Sequence, residues 1–256
     1  MTSEALTWVE TPKMTYARTG NHILGFGKRD LTFDRLIFEI HQLTNQEISW
    51  IHLKQIHSNT VLESRPEHAT RDESLLREGD AHFSTDHGIG LIVKTADCLP
   101  VLMLSEDGTL SVAVHAGWRG VENEILRATV RDLKKRGLDP AKLQVFIGPH
   151  IRQQSFEVDH DIAQRLTLTA KNAGLLEASL LQKIVKPEGL AGQIGDSGKH
   201  FVDLERIALA QLMVEGVLQN QIHIFKNDTK SDNNWASYRR DGKSAGRNLS
   251  FIVRTP

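Results

Sequence analysis

The sequence has a single cysteine, Cys98, among its 256 residues, and this scarcity indicates the compartment in which the protein works. One thiol excludes an internal disulfide and fits the reducing environment of the cytoplasm. No apolar run approaches the length that a bilayer-spanning helix needs, and the opening Met1-Thr2-Ser3-Glu4 lacks a basic region followed by an apolar one. We therefore expect a cytoplasmic protein with no membrane partner.

An excess of charge of either sign is also missing. The chain has 31 Lys and Arg residues against 32 Asp and Glu residues, which leaves a net charge of −1. Such a balance gives no electrostatic reason to expect a nucleic acid as the main partner. The chain also lacks an internal repeat, a low-complexity tract or a linker rich in Pro, Gly and Ser, so we predict one domain over residues 1–256.

Hydrophobic patterning predicts more strands than helices. Apolar runs of strand length cover 48–53, 90–94, 101–104, 110–115 and 145–147, with later strands over 222–225 and 249–253. Helical spacing of apolar residues predicts a helix over 121–136, and further helices over 159–172 and 204–216. Because the strands do not alternate strictly with helices, we expect an α+β fold, a layered α/β sandwich with mixed β-sheets.

Two segments carry no such pattern. The polar stretch from Asn227 to Asn248 is long for a structureless connection, and loops of this length in compact domains are usually functional or disordered. Residues 189–198 contain several glycines, and we expect them to form a flexible surface excursion.

Three potential metal ligands, His57, Cys98 and His115, stand at the ends of predicted strands. Side chains at strand ends can converge on one point, and two imidazoles with one thiolate suit zinc. Three protein ligands also leave a fourth coordination position open for catalysis. The wide separations match no short zinc motif, however. From spacing alone, Cys98 and His115 could equally be buried core residues and His57 a surface residue.

Two arginine-containing segments could bind an anion. The turn 117–120 leads into the predicted helix 121–136, and free backbone N–H groups at a helix start attract phosphate or carboxylate. Arg119 lies in this turn. In the late polar segment, Arg239, Arg240 and Arg247 stand among glycines and could grip phosphate bidentately. A tight turn and a solvated charge cluster are the alternatives for the two segments.

Together these segments resemble the YfiH family, whose members are also called laccase-domain or polyphenol-oxidase-like proteins and peptidoglycan editing factors. The resemblance covers the chain from about Trp50 onward. Its most specific motifs are Thr95-Ala96-Asp97-Cys98-Leu99-Pro100 and His115-Ala116-Gly117-Trp118-Arg119-Gly120. Further matching stretches are Lys54-Gln55-Ile56-His57, Gly79-Asp80-Ala81, Ile147-Gly148-Pro149, Phe156-Glu157-Val158, Asp203-Leu204 and Ser237-Tyr238-Arg239-Arg240-Asp241-Gly242.

The resemblance implies a fold related to cysteine-hydrolase-like toxin domains and a Zn²⁺ site at His57, Cys98 and His115. It also implies purine nucleoside phosphorolysis, acting on adenosine, inosine and 5′-methylthioadenosine, together with adenosine deamination. Zinc can activate water for attack at C6 of adenine. The candidates for the proton shuttle are Asp80, Asp97 and Glu157. Substrate and phosphate are expected to contact Gln55, Arg119, Arg239 and Arg247.

The chain departs from the family pattern in places. Arg18-Thr19-Gly20-Asn21 fits the family's opening motif only loosely, which weakens any role for Arg18. Gln154 and Ser155 stand where many members have cysteines after Ile-Gly-Pro, and Asn227-Asp228-Thr229 stands where Cys-Thr is common. These changes spare the three proposed ligands.

Three other functions remain as alternatives. Two histidines, one cysteine and Met103 superficially resemble a blue-copper ligand set, but a multicopper oxidase needs many more histidines, usually as His-x-His pairs, and the chain has no such pair. A metal-free hydrolase could use the Cys98 thiolate with His115 or His57, which suits peptidoglycan editing. The last alternative is a binding protein in which the metal is structural.

Overall fold

The computed structural model describes residues 6–187 and 199–255. Its strands, in chain order, are β1 Trp8–Glu10, β2 Met14–Thr19, β3 His22–Gly27, β4 Ser49–His52, β5 Val61–Glu63, β6 Ala81–Ser84, β7 Ile89–Thr95, β8 Leu99–Ser105, β9 Ser111–Ala116, β10 Leu143–Ile147, β11 Glu157–Asp159, β12 Val185–Pro187, β13 Lys199–Val202, β14 Ile222–Ile224 and β15 Asn248–Arg254. The helices are α1 Phe33–Thr44, α2 Trp118–Glu122, α3 Ile125–Lys135, α4 His160–Asn172, α5 Ala178–Ile184, α6 Leu204–Val214 and α7 Tyr238–Asp241.

Two six-stranded mixed sheets form the centre of the fold. The first has the order β1-β2-β3-β15-β7-β4 and the second β14-β10-β8-β9-β6-β5, and a small third sheet joins β11, β13 and β12. Most pairs are antiparallel, but β4 pairs with β7, β5 with β6 and β10 with β14 in parallel. The predicted α+β fold with layered mixed sheets is confirmed.

The apolar residues of β8 show why the layers stack as they do. Leu102 and Leu104 pack into a cluster between the two large sheets, while Val101 and Met103 face the opposite side, into a cluster that includes α3, α4 and α6. Because successive strand residues point to opposite faces, a strand buried on both sides is apolar throughout. Helix α1 covers the outer face of the first sheet, so the order of layers is helix, sheet, sheet, helices.

The single helix predicted over 121–136 is wrong, because the structure divides it into α2 and α3. Glu124 adopts φ 60, and a left-handed residue interrupts the helical hydrogen bonds. The Asn123 carbonyl instead accepts a bond from the side-chain amide of Asn59 at 2.9 Å, and the Glu124 carboxylate pairs with Arg127. Apolar spacing continues across the break because both helices pack on the same core, so the pattern could not reveal it.

The segment from Asn227 to Asn248 is ordered and contains α7. The Arg240 guanidinium donates to the carbonyls of Thr229 and Trp235, both at 2.8 Å. The Asn248 amide exchanges two hydrogen bonds with the backbone of Ala236. These bonds replace a regular ladder and hold the segment against the strand ends.

The other predicted strands and helices are found within a few residues of their expected bounds, whereas the patterns indicated nothing before residue 48, where β1–β3 and α1 lie. The expected excursion over 189–198 lies outside the described residues. Within the described part of the chain, no helix is both long and apolar enough to cross a bilayer. The cytoplasmic location stays a prediction.

Candidate metal centre and its pocket

The structure brings the three predicted ligands together. His57 lies between β4 and β5, Cys98 in the turn between β7 and β8, and His115 near the end of β9. One potential ligand atom from each lies within 4.8 Å of the other two. The two imidazole rings meet nearly edge to face, with centroids 4.8 Å apart.

A buried carboxylate, Asp80, sets the positions of two of these ligands. One of its oxygens accepts the backbone N–H of His57 at 3.0 Å and lies 2.8 Å from Nδ1 of His115. The other oxygen accepts both the backbone N–H and the hydroxyl of Ser58, at 2.6 and 2.7 Å. These bonds hold His57 in the left-handed region at φ 61. They also direct Nε2 of His115 toward Cys98, in the manner of carboxylate–histidine–metal sites.

Charge and hydrogen bonding favour the ionised forms of this cluster. Burial works against the charge of Asp80, but the bonds from His115 and Ser58 outweigh it and lower the pKa of the carboxyl to about 2. Burial likewise opposes the thiolate of Cys98, yet the two histidines lower the pKa of this thiol to about 6. A thiol that is ionised at neutral pH is prepared to bind a metal ion or to act as a nucleophile.

The backbone leaves room for an ion beside these side chains. A Cβ atom placed on Gly117 would lie 2.8 Å from Cδ2 of His57 and 3.0 Å from Sγ of Cys98, so any larger residue would displace the His57 side chain and crowd that of Cys98. Bonds of about 2.0 to 2.3 Å place tetrahedral zinc ligands about 3.3 to 3.8 Å apart, which small side-chain rotations would achieve here. The donor set, its geometry and the ionised thiol together fit a transition metal with an open coordination position.

The three candidate ligands His57, Cys98 and His115 line a pocket of about 730 Å³. Arg119, Arg239 and Arg247 line the same pocket, and none of them has a carboxylate partner within residues 6–187 and 199–255. The Arg119 guanidinium lies 4.4 Å from the centre of the Trp118 ring. Within the described residues, the Arg247 guanidinium donates to the neighbouring carbonyls of Ala245 and Gly246 and to no other group. Three uncompensated guanidinium groups make the pocket suited to an anion.

The predicted anion site at a helix start needs correction. Arg119 lies inside α2, a helix of five residues, rather than before the long helix that the sequence predicted. The dipole of so short a helix contributes little, so the guanidinium itself must attract any anion. Gly117 lies close to the metal ligands, as the sequence suggested for a ligand contact, while Gly120 is buried within α2.

The three predicted proton shuttles have different surroundings. Asp80 is fully buried and does not line the pocket. Asp97 lines it, but its two oxygens accept bonds from the Thr229 hydroxyl and the backbone N–H of Arg239. Glu157 also lines the pocket, and within the described residues no group donates a hydrogen bond to its carboxylate. Of these three carboxylates, Glu157 is thus the one that lines the pocket without a hydrogen bond from the described residues, and the Lys199 ammonium lies near enough to interact with it electrostatically.

Gln55 lines the pocket, but its side-chain amide is engaged with the protein. Its Nε2 donates to the carbonyl of Lys94 and its Oε1 accepts the N–H of the same residue, both at 2.8 Å. The Gln55 side chain thus holds the segment before His57 against β7. Contact between Gln55 and substrate stays a prediction, and any such contact would use the outer edge of the amide.

Two residues considered from the sequence lie elsewhere. Met103 is buried in the core beneath the helices and does not line the pocket, so it cannot complete a blue-copper ligand set. Arg18 is not in the pocket either, and its guanidinium donates to the carbonyl of Leu43 at the end of α1. Conversely, nothing in the sequence indicated that Lys94 or Lys199 would line the site, and Tyr238 was part of a family motif without being assigned a role. Lys94 and Lys199 come from distant segments and belong to no motif.

Comparisons with known proteins identify relatives of this chain. Residues 34–255 match the family model described as multi-copper polyphenol oxidoreductase laccase. A purine nucleoside phosphorylase of Clostridium acetobutylicum is 31% identical over 204 residues, which cover 79% of this chain and 76% of that protein. The purine nucleoside phosphorylase YfiH of Escherichia coli is 32% identical over 203 residues, with coverage of 78% and 72%.

Solved structures show the same fold. The crystal structure of a YfiH protein from Bacillus licheniformis covers 96% of this chain and 98% of its own, with a TM-score of 0.80 and 19% identity. That of YlmD from Geobacillus stearothermophilus covers 97% and 99%, with a TM-score of 0.78 and 20% identity. On its sequence motifs, its fold and these matches, the chain belongs to the YfiH family of laccase-domain proteins.

Proposed function

We propose that this protein is a zinc-dependent purine nucleoside phosphorylase that cleaves adenosine, inosine and 5′-methylthioadenosine and also deaminates adenosine. One observation carries the proposal: the pocket that holds the His57–Cys98–His115 cluster also holds three arginines without carboxylate partners. A metal centre beside an anion site suits a reaction between a nucleoside and phosphate. The names of the relatives support the same activity, and we propose that the chain acts as one catalytic domain.

The proposed phosphorolysis assigns a task to each group around the pocket. Arg119, Arg239 and Arg247 would bind inorganic phosphate below the sugar, since guanidinium groups match the phosphate oxygens. As the glycosidic bond breaks, negative charge develops on the departing purine, which must receive a proton. Glu157 in its protonated, carboxylic acid form is the proposed donor, because within the described residues its side chain accepts no hydrogen bond; it leaves the step as the carboxylate. The ring of Trp118 offers an apolar surface for the base or the sugar.

Deamination would use the same site without phosphate. A zinc ion with an open coordination position supplies Lewis acidity and an activated water. Glu157, in its carboxylate form for this reaction, would take up a proton and deliver it to the purine. Asp80, which is closed off from the pocket, would keep His115 in the tautomer that leaves Nε2 for the metal.

Phosphate dependence tests the proposal. Adenosine and inosine should yield free base and ribose 1-phosphate at a rate that saturates with phosphate. Arg119→Ala and Arg247→Ala should each raise the KM for phosphate about tenfold or more, and change the KM for nucleoside much less. Arg71→Ala is the matched control, because Arg71 is exposed and pairs with Asp34 outside the pocket. Base release that is indifferent to phosphate would refute the proposal.

A second function is favoured by the order of three side chains. Asp80 contacts His115, and His115 and the Cys98 thiol lie side by side, which is the order of a Cys–His–Asp hydrolase. Metal-free protein that cleaves an amide or ester and loses this activity when zinc is added would establish it. The copper oxidase alternative has less support, since residues 6–187 and 199–255 contain no second cluster of three or more metal-binding side chains.

A further inference from the structure

Asp97 is a buried carboxylate that connects two separate parts of the pocket. It directly precedes Cys98 in the turn between β7 and β8, and it is only 9% exposed. One carboxylate oxygen accepts the hydroxyl of Thr229 at 2.7 Å, and the other accepts the backbone N–H of Arg239 at 2.6 Å. Both partners belong to the late segment between β14 and β15. The carboxylate therefore binds protein groups in preference to substrate.

The backbone of Asp97 is held in an unusual conformation. Its φ is 88°, a value that residues other than glycine adopt rarely and at a cost. Its carbonyl oxygen accepts the N–H of Ile151 at 2.9 Å, which secures the turn from a third side. Such a conformation persists only where the surroundings fix it, and here they fix the residue that leads directly into the thiolate ligand.

Arg239 is held at both ends by groups of this pocket. Its N–H binds Asp97, and its guanidinium donates to the carbonyl of Glu157 at 2.7 Å and lies 5.5 Å from the centre of the Phe156 ring. Without the bond to Asp97, the start of α7 would lose its contact with the strand end that carries Cys98. The guanidinium would then be held by the Glu157 carbonyl and the Phe156 ring alone, without a link to the strand end that carries Cys98.

We propose that Asp97 is a positioning residue that fixes the phosphate-binding Arg239 relative to the thiolate ligand Cys98. This inference rests on the proposed phosphorylase function. It replaces the role of proton shuttle that the sequence suggested for Asp97. Thr229 would help to position the Asp97 carboxylate, because its fully buried hydroxyl donates to one of the carboxylate oxygens.

Two substitutions of Asp97 should differ in their effect on phosphate binding. Asp97→Ala removes both acceptors and should weaken phosphate binding by about tenfold or more. Asp97→Asn can keep both contacts, because the amide oxygen can accept the Arg239 N–H while the amide nitrogen donates to a rotated Thr229 hydroxyl. Asparagine also tolerates positive φ, so this variant should bind phosphate within about threefold of the wild type.

A matched control separates positioning from general loss of stability. Asp107 also accepts hydroxyl and backbone bonds, from Ser105 and Thr109, but in the turn after β8 and away from the pocket. Asp107→Ala should lower stability and leave phosphate affinity unchanged. If Asp97→Ala does not fold, Thr229→Val replaces it, since it removes one of the two bonds and should give a smaller loss in the same direction.

The experiment is calorimetric titration of zinc-loaded protein with inorganic phosphate, alongside the KM for inosine. We expect Asp97→Ala to lose phosphate affinity while the KM for inosine changes by no more than about twofold. Equal phosphate affinity in wild type and Asp97→Ala, or an equal loss for phosphate and inosine, would overturn this inference alone. A wild-type protein that does not bind phosphate would overturn the proposed function, and this inference with it.

Discussion

Replacing Gly117 with alanine should weaken metal binding by about tenfold or more while leaving the fold intact. The added Cβ would lie 2.8 Å from Cδ2 of His57, whereas carbon atoms in contact ordinarily stay about 3.5 to 4.0 Å apart. His57 would therefore have to retreat by about 0.7 Å or more, and metal sites tolerate deviations of only about 0.2 Å. The same Cβ would lie 3.0 Å from Sγ of Cys98, so a second ligand is also displaced.

Removing a residue that hydrogen-bonds to a metal ligand typically lowers metal affinity about 10- to 100-fold, and we expect Gly117→Ala to lower zinc affinity at least as much. Gly117 has φ −70, which alanine adopts freely, so backbone strain does not complicate the result. Gly120→Ala is the control in the same helix, because its Cβ would make ordinary contacts, none closer than 3.4 Å. Zinc affinity is measured by competition with a chromogenic chelator, and folding by circular dichroism.

Gly117→Ala should bind zinc at least about tenfold more weakly than Gly120→Ala, with similar melting temperatures for the two metal-free variants. Equal zinc affinity in the two variants would refute the assignment of the ion to the space beside Gly117. Unfolding of Gly117→Ala would show that the glycine serves packing instead. In that case the steric argument for the metal centre fails.

Three further predictions concern the three candidate ligands, the carboxylate that orients His115, and the stability of the protein at acidic pH. Alanine variants of His57, Cys98 and His115 should each lose zinc and activity but keep their circular dichroism, because the apolar clusters lie outside the site; unfolding of all three would mean a structural metal. Asp80→Asn should weaken zinc about 10- to 100-fold, measured by chelator competition, and unchanged affinity would contradict its role. Burial, followed by the nearby His52, lowers the pKa of His82 to about 3. Because the unfolded chain binds this proton at about pH 6.5, keeping His82 neutral in the folded protein costs nothing above that pH, and the folded state loses stability as pH falls from about 6.5 toward 3. Urea unfolding at pH 7.5 and 5 should give a lower free energy of unfolding at pH 5, with a smaller decrease in His82→Asn, and equal values at both pH values would contradict this.

The sequence was sufficient for the strands that are buried on both faces. β8 and β9 are almost entirely apolar, so their positions follow from composition alone. The break between α2 and α3 could not be predicted, because it depends on the left-handed Glu124 and on a bond from the distant Asn59. By contrast, α1 was missed although its signals are present: Thr32 caps the N–H of Arg35, and Leu36 and Ile40 are buried four residues apart.

The sequence was sufficient to predict the candidate metal ligands, but not the roles of the carboxylates around them. Residue chemistry and family motifs selected His57, Cys98 and His115, and the structure brings them together. Motifs alone could not show that Asp80 faces the ligands while Glu157 faces the open pocket, since this depends on which hydrogen bonds each carboxylate accepts.

The most direct test of the central claim is to identify the nucleophile that breaks the glycosidic bond. Zinc-loaded protein is incubated with inosine and inorganic phosphate in ¹⁸O-labelled water, and the sugar product is examined by mass spectrometry. We predict hypoxanthine and an equal amount of ribose 1-phosphate without ¹⁸O in the sugar, formed only when phosphate is present. Free ribose that carries ¹⁸O, released at the same rate without phosphate, would contradict the account.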